Sequence, residues 1–148
     1  MRRMLAQMMT KDDFFLHADM WKFPTDAQVI NCGLGESNLL NIAGGLAKTG
    51  KTVYIYGVCG FVIHRYEQLK FSCRDFGSRF GKIIICNAGK HGYAQFGNGH
   101  ILDDDFALMD VLDIEGYAPD NVEEFYTIIK ELEKMDTGIY YIQLGKDV

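Results

Sequence analysis

The chain has 148 residues, 48% of them hydrophobic and 24% charged, with a formal net charge of -5 and a pI near 5.3. That balance is the one expected of a soluble globular protein, long enough to bury roughly two thirds of its unfolded surface as a single domain spanning residues 1–148. The acidic charge, with Arg2-Arg3 as the one basic cluster, excludes nucleic acid as a partner; the lack of any apolar run near the ~20 residues of a membrane span, or of a signal-peptide core in "MRRMLAQMMTKDD", excludes the membrane and points to the cytoplasm.

Hydrophobic spacing sets the order of elements. Met1, Met4, Leu5, Met8 and Met9 recur at helical intervals, which predicts a short opening helix with its methionine stripe in the core. A strand is expected over 13–19, a loop with Pro24 over 21–26, and a second strand over 28–32. The spacing of Leu39, Leu40, Ala43, Leu46 and Ala47 predicts a helix over 36–48, closed by Gly50. A strand over 52–57 leads to a helix over 61–73, with Val62, Tyr66, Leu69 and Cys73 on one stripe. "KIIICN" (82–87) is nearly continuous in β-branched residues, the mark of a strand covered on both faces. A Gly-rich loop over 88–99, a short helix over 104–110 and a strand within 111–119 follow. Asp120 then reads as the cap of a helix with Glu123 in capping-box position and Val122, Phe125, Ile129, Leu132 and Met135 facing inward; a strand over 138–145 ends the series.

This alternation predicts an α/β fold with a mainly parallel, twisted sheet flanked by helices. Ligands of such sheets bind beyond the carboxyl ends of the strands, here Asp19, 32–36, 57–61 and 87–100. The cysteines Cys32, Cys59, Cys73 and Cys86 form no C-x-x-C pair; three read as small hydrophobes, and Cys59 lies at a strand-to-helix junction near the expected site. With His17, His64, His91 and His100 they match no zinc spacing, so no metal is expected on this chain itself.

"VINCGLGESN" (29–38) has the outline of a dinucleotide-binding loop, but Asn38 stands where a third small residue is needed, and the following strand ends without a carboxylate. Glu36, in the first helical turn, would also repel a pyrophosphate. No G-K-[ST] precedes a helix, which excludes a P-loop. On spacing alone Glu36 remains either a solvated residue favouring the helix dipole or a functional carboxyl.

Several motifs in register resemble the pyrimidine-binding domain of the transketolase family of thiamine-diphosphate enzymes. They are Gly33-Leu34-Gly35-Glu36, the helix end Ala43-Gly44-Gly45-Leu46-Ala47, "FLHADM" (15–20), "RYEQLK" (65–70), "GNGHILDDDFALM" (97–109) and "GIYYIQLGK" (138–146). The resemblance implies thiamine diphosphate as cofactor, which reacts through its thiazolium C2 after its own aminopyrimidine removes the C2 proton. It makes Glu36 the carboxyl that hydrogen-bonds the pyrimidine nitrogen and must be able to hold a proton, which a desolvated site favours. It places Phe61 against the pyrimidine, with Tyr66 in the core, and Asp19 and Gly33 at the cofactor zone. His100 is then a catalytic donor to substrate oxygens, with His64 and His17 as further substrate contacts.

Two departures matter. "QFGNGH" (95–100) lacks the acidic residue that often reads sugar hydroxyls in the family, so the substrate need not be an ordinary ketose phosphate; a small sugar or 2-oxo substrate is expected. The sequence also lacks a Gly-Asp-Gly followed by Asn, the family's diphosphate and Mg²⁺ motif. The expectation is therefore a split transketolase-like transferase, active only with a separate diphosphate-binding subunit that holds the Mg²⁺, in a homo- or hetero-oligomer. The alternatives are a β-subunit of a 2-oxoacid dehydrogenase or decarboxylase, and a non-catalytic relic of the fold.

Overall fold

The computed structural model describes residues 1–19, 21–89 and 93–145. Met20 of "FLHADM", residues 90–92 of the Gly-rich loop with His91, and Lys146 of "GIYYIQLGK" lie outside the described residues. Strands β1 (Phe14–His17), β2 (Gln28–Asn31), β3 (Thr52–Val58), β4 (Lys82–Ala88), β5 (Glu115–Tyr117) and β6 (Gly138–Leu144) form one six-stranded sheet in the order β2-β1-β3-β4-β6-β5. Every pairing is parallel. The centre is β3 against β4, in register from Thr52 opposite Lys82 to Val58 opposite Ala88.

Successive side chains of these strands feed two separate cores, as the period of two requires. Ile55, Ile83 and Ile85 meet Leu39, Leu40 and Ala43 of α2 (Glu36–Lys48), Leu69, and Met109 of α3 (Asp105–Leu112). Tyr54, Ile84 and Cys86 meet Leu5 of α1 (Arg2–Met8) and Phe125 and Ile129 of α4 (Val122–Glu133) on the other face. The opening methionine stripe is packed as expected, with Met9 buried and Met1, Met4 and Met8 against the second core. Among the described residues no helix is long and apolar enough to cross a membrane.

Three local expectations are corrected. The helix expected over 61–73 begins as a turn and continues as a π-helix, Gln68–Arg74, in which the Asp75 N–H reaches the Lys70 carbonyl at 2.9 Å. In this wider coil Leu69 and Cys73, four apart, stay on the buried stripe, while Tyr66, two residues before it, is 40% exposed rather than in the core. The cap of α4 is Asn121, one residue after Asp120: its side chain accepts from the Glu124 N–H at 2.8 Å, and the Glu124 carboxylate accepts from the Asp120 N–H at 2.9 Å. Val122, in the first turn, and Met135, past the end of α4, are exposed rather than facing inward, leaving Phe125, Ile129 and Leu132 as the buried face.

Lys82 and His17 are among the polar side chains held inside. Lys82, at the start of β4, donates from Nζ to the carbonyls of Leu132 at 2.9 Å and Met135 at 3.0 Å, closing the C-terminus of α4 where a cation meets the helix dipole. His17 is buried, stacks on Phe15 at 5.7 Å, and its Nδ1 has no hydrogen-bond partner among the described residues. Burial holds its imidazole below the usual pKa, against the weaker opposing pull of Asp19. The folded chain therefore binds the His17 proton less readily than the unfolded chain. Its contribution is complete above the ordinary imidazole pKa of about 6.5 and is lost as the pH falls below it. In His17→Phe, unfolding free energy should fall less steeply between about pH 7 and 5 than in the wild type, as measured by urea titration across that range. Parallel pH curves for the two proteins would remove His17 as the cause.

The layer beside α2 depends on a close backbone approach. A Cβ on Gly44 would overlap the Ser72 carbonyl, and one on Gly77 would lie 2.6 Å from the Gly44 oxygen. Gly45 faces open space. Neighbouring glycines should therefore respond with opposite signs in denaturant unfolding. Gly44→Ala should destabilise by about 1–3 kcal/mol through overpacking, whereas Gly45→Ala should stabilise by roughly 0.5–1 kcal/mol through helix propensity.

Candidate functional site

At the carboxyl ends of β1, β3 and the α2 entry lies a cavity of about 320 Å³. Its walls are Ala18, Leu34, Tyr56, Val58, Phe61, Val62, Tyr93 and Phe96, and Glu36 and His100 bring a carboxyl and an imidazole to it. Glu36, Phe61 and His100 thus come together from segments far apart in sequence. The side chains of Glu36 and His100 make no hydrogen bond or ion pair among the described residues, so both are available to a ligand.

Backbone geometry explains how each arrives. The turn before α2 is tied by Asn31, whose Oδ1 accepts from the N–H groups of Gly33 at 2.9 Å and Asp19 at 3.3 Å, while its Nδ2 donates to the Asp19 carboxylate at 3.1 Å. Gly33 takes the left-handed conformation, φ +57°, that this turn demands. Asp19 and Gly33 therefore build the approach to Glu36, the first residue of α2, and do not line the cavity.

Phe61 is set by a cross-brace between neighbouring strand ends. Cys59, left-handed at φ 52°, donates its N–H to the Ala88 carbonyl at 2.7 Å, and its own carbonyl accepts from Asn87 Nδ2 at 2.6 Å. The Cys59 thiol is buried and its pKa raised by that burial, so it is packing rather than a reactive group. Gly57 supplies the room, because a Cβ there would come within 2.8 Å of the Val62 methyl. His100 sits at the end of a 3-10 turn, Asn98–His100, edge-on to Phe61 at 5.2 Å and tilted against Phe96 at 5.7 Å.

The other two histidines expected in the site lie elsewhere. His17 points into the second core beside Phe15. His64 packs over Gly60 and bonds Asp104 at 2.9 Å, outside the cavity lining. Leu34, Tyr93 and Phe96 were not singled out by sequence. Phe96 was legible as the apolar replacement beside "GNGH"; Tyr93 carries no local signal, since its place is set by the loop that follows β4.

No family model matches the chain. An uncharacterised 33.6 kDa protein in the fasciation locus of Rhodococcoides fascians is 26% identical over 125 residues, 82% of this chain and 38% of that protein. A solved structure described as a split gene transketolase, inactive beta4 tetramer, matches with a TM-score of 0.70 at 25% identity, over 92% of this chain and 46% of that one. The chain thus spans less than half the length of either relative. The resemblance carried by the sequence motifs holds in three dimensions: this is a transketolase-like α/β fold built on a parallel sheet.

Proposed function

We propose that the chain is the pyrimidine-binding component of a split, thiamine-diphosphate-dependent transketolase-like enzyme. The observation that carries this reading is the convergence of Glu36, Phe61 and His100 on one largely apolar cavity at the carboxyl ends of the strands. The donor set suits the cofactor's aminopyrimidine: flat and aliphatic walls for a heteroaromatic ring, and one carboxyl for its ring nitrogen. When bound, the cofactor supplies an acidic C2–H whose deprotonated form attacks a substrate carbonyl. Glu36 would hold and return a proton at the pyrimidine nitrogen. Phe61, Leu34 and Val58 would orient the ring and exclude water. His100 would donate a hydrogen bond to the substrate oxygen on which charge develops.

The diphosphate and Mg²⁺ require ligands from outside these 148 residues, which lack a Gly-Asp-Gly…Asn motif. A relative described as an inactive beta4 tetramer agrees with a chain that depends on a further component. The aromatic surroundings of His100, with Phe61 and Phe96 against it and Tyr93 on the same wall, favour a second reading of the substrate: a 2-oxo acid with a hydrocarbon arm rather than a polyol.

Two measurements test the proposal. The purified chain should bind thiamine diphosphate with Mg²⁺ only weakly in calorimetry, and tight stoichiometric binding would overturn the split arrangement. In the complex with its diphosphate-binding component, Glu36→Gln should slow hydrogen–deuterium exchange at the cofactor C2 by roughly 10²–10⁴ while melting temperature stays close to the wild type. A solvated first-turn residue would instead cost about 0.3–1 kcal/mol of stability and leave exchange unchanged.

A further inference from the structure

We propose that His64 and Asp104 form a clasp that positions His100, so that His64 acts on the site through the loop and not by touching substrate. The pair joins two segments 40 residues apart, with His64 Nε2 at 2.9 Å from Asp104 Oδ1. His64 ends the turn that carries Phe61, and its ring lies directly on the Cα of Gly60, where a Cβ would collide with it. Asp104 is the N-cap residue of α3, yet its side chain makes no capping bond; it is turned to His64 instead.

The next residue makes the inner half of the attachment. Asp105 is buried and accepts from the Tyr141 hydroxyl at 2.6 Å and Gln143 Nε2 at 2.5 Å, both on β6. Consecutive aspartates therefore hold the start of α3, one to the sheet and one to the Phe61 turn. Between Gly97 and this anchor the chain places Leu102 in the core and His100 against Phe61. Asp105 alone would leave the loop tied to β6; the His64 contact ties it to the turn bearing Phe61, across which the Phe61–His100 ring contact is made. Both partners are largely exposed, with side chains 44% and 59% accessible, so the bond adds little global stability. Its effect is on where His100 stands. The functional consequence rests on His100 facing substrate as proposed above; the geometry does not.

The test is nuclear magnetic resonance on the full chain, following the His100 Cε1–H signal, which is assigned by its loss in His100→Asn. His64→Phe keeps a flat ring over Gly60 but cannot donate. Asp104→Ser keeps a helix-capping side chain but is too short to reach His64. Gly60→Ala displaces the His64 ring without altering either partner. Each single variant should move the His100 signal from its ring-current-shifted position toward that of a free imidazole, with the sheet amide signals unchanged. The double variant His64→Phe with Asp104→Ser should move it no further than the singles. A His100 signal that stays in place, or single effects that add, would overturn the clasp. An unmoved His100 alongside a clear Glu36→Gln exchange defect would sink the clasp alone. A displaced His100 with no Glu36-dependent exchange would sink the cofactor reading alone.

Discussion

The parallel pairing of β3 with β4, in register over Thr52–Val58 and Lys82–Ala88, is the constraint on which the molecule depends. Parallel neighbours need long crossovers, and those crossovers must cover both faces because the strands expose no polar side. Two cores follow from this, one beneath α2, the π-helix and α3, the other beneath α1 and α4. The same pairing sends the exits of β1, β3 and β4 to one edge. Only there can segments so far apart in sequence meet without crossing the sheet.

At that edge the site is built from turns closed by side-chain-to-backbone hydrogen bonds. Asn31 closes the turn before Glu36, and Asn87 with the Ala88 carbonyl closes the turn before Phe61. Cys59 holds a left-handed conformation that a side chain adopts only under such support. The two turns thus project a carboxyl and a ring from rigid strand ends, the arrangement a binding site needs for precise placement. The 93–104 segment is different. It is a long connection in short turns, held by aromatic contacts, the buried Leu102 and the paired attachments of Asp104 and Asp105.

The chemistry of the cavity follows from its surroundings. Glu36 stands at an apolar cleft, the surroundings in which the proposed exchange of a proton with a ring nitrogen would be least disturbed by water. An imidazole framed by two rings has few orientations open to it, which suits the donor role proposed for His100. In the proposed function the same apolar lining leaves the cofactor's diphosphate and metal to groups from another source.

The sequence by itself determined the element order, the α/β class and the motif positions, because hydrophobic period, glycine placement and β-branched runs are local properties. It identified Glu36, Phe61 and His100 through motifs whose spacing follows the strand exits, and the structure places these three around one cavity. It misplaced the α4 cap by one residue because Asp120 and Asn121 are both competent caps, and the folded chain uses Asn121, which accepts from the Glu124 N–H. It put Tyr66 inside because one 3.6-residue period was expected over 61–73, where the chain instead runs from a turn into a π-helix that starts at Gln68. What only the tertiary structure decided is which histidine goes where. His17 turns into the core beside Phe15, His64 reaches Asp104, and His100 enters the cavity. A lone imidazole carries no periodic signal, and its direction is set by neighbours that are distant in the chain and adjacent only after folding.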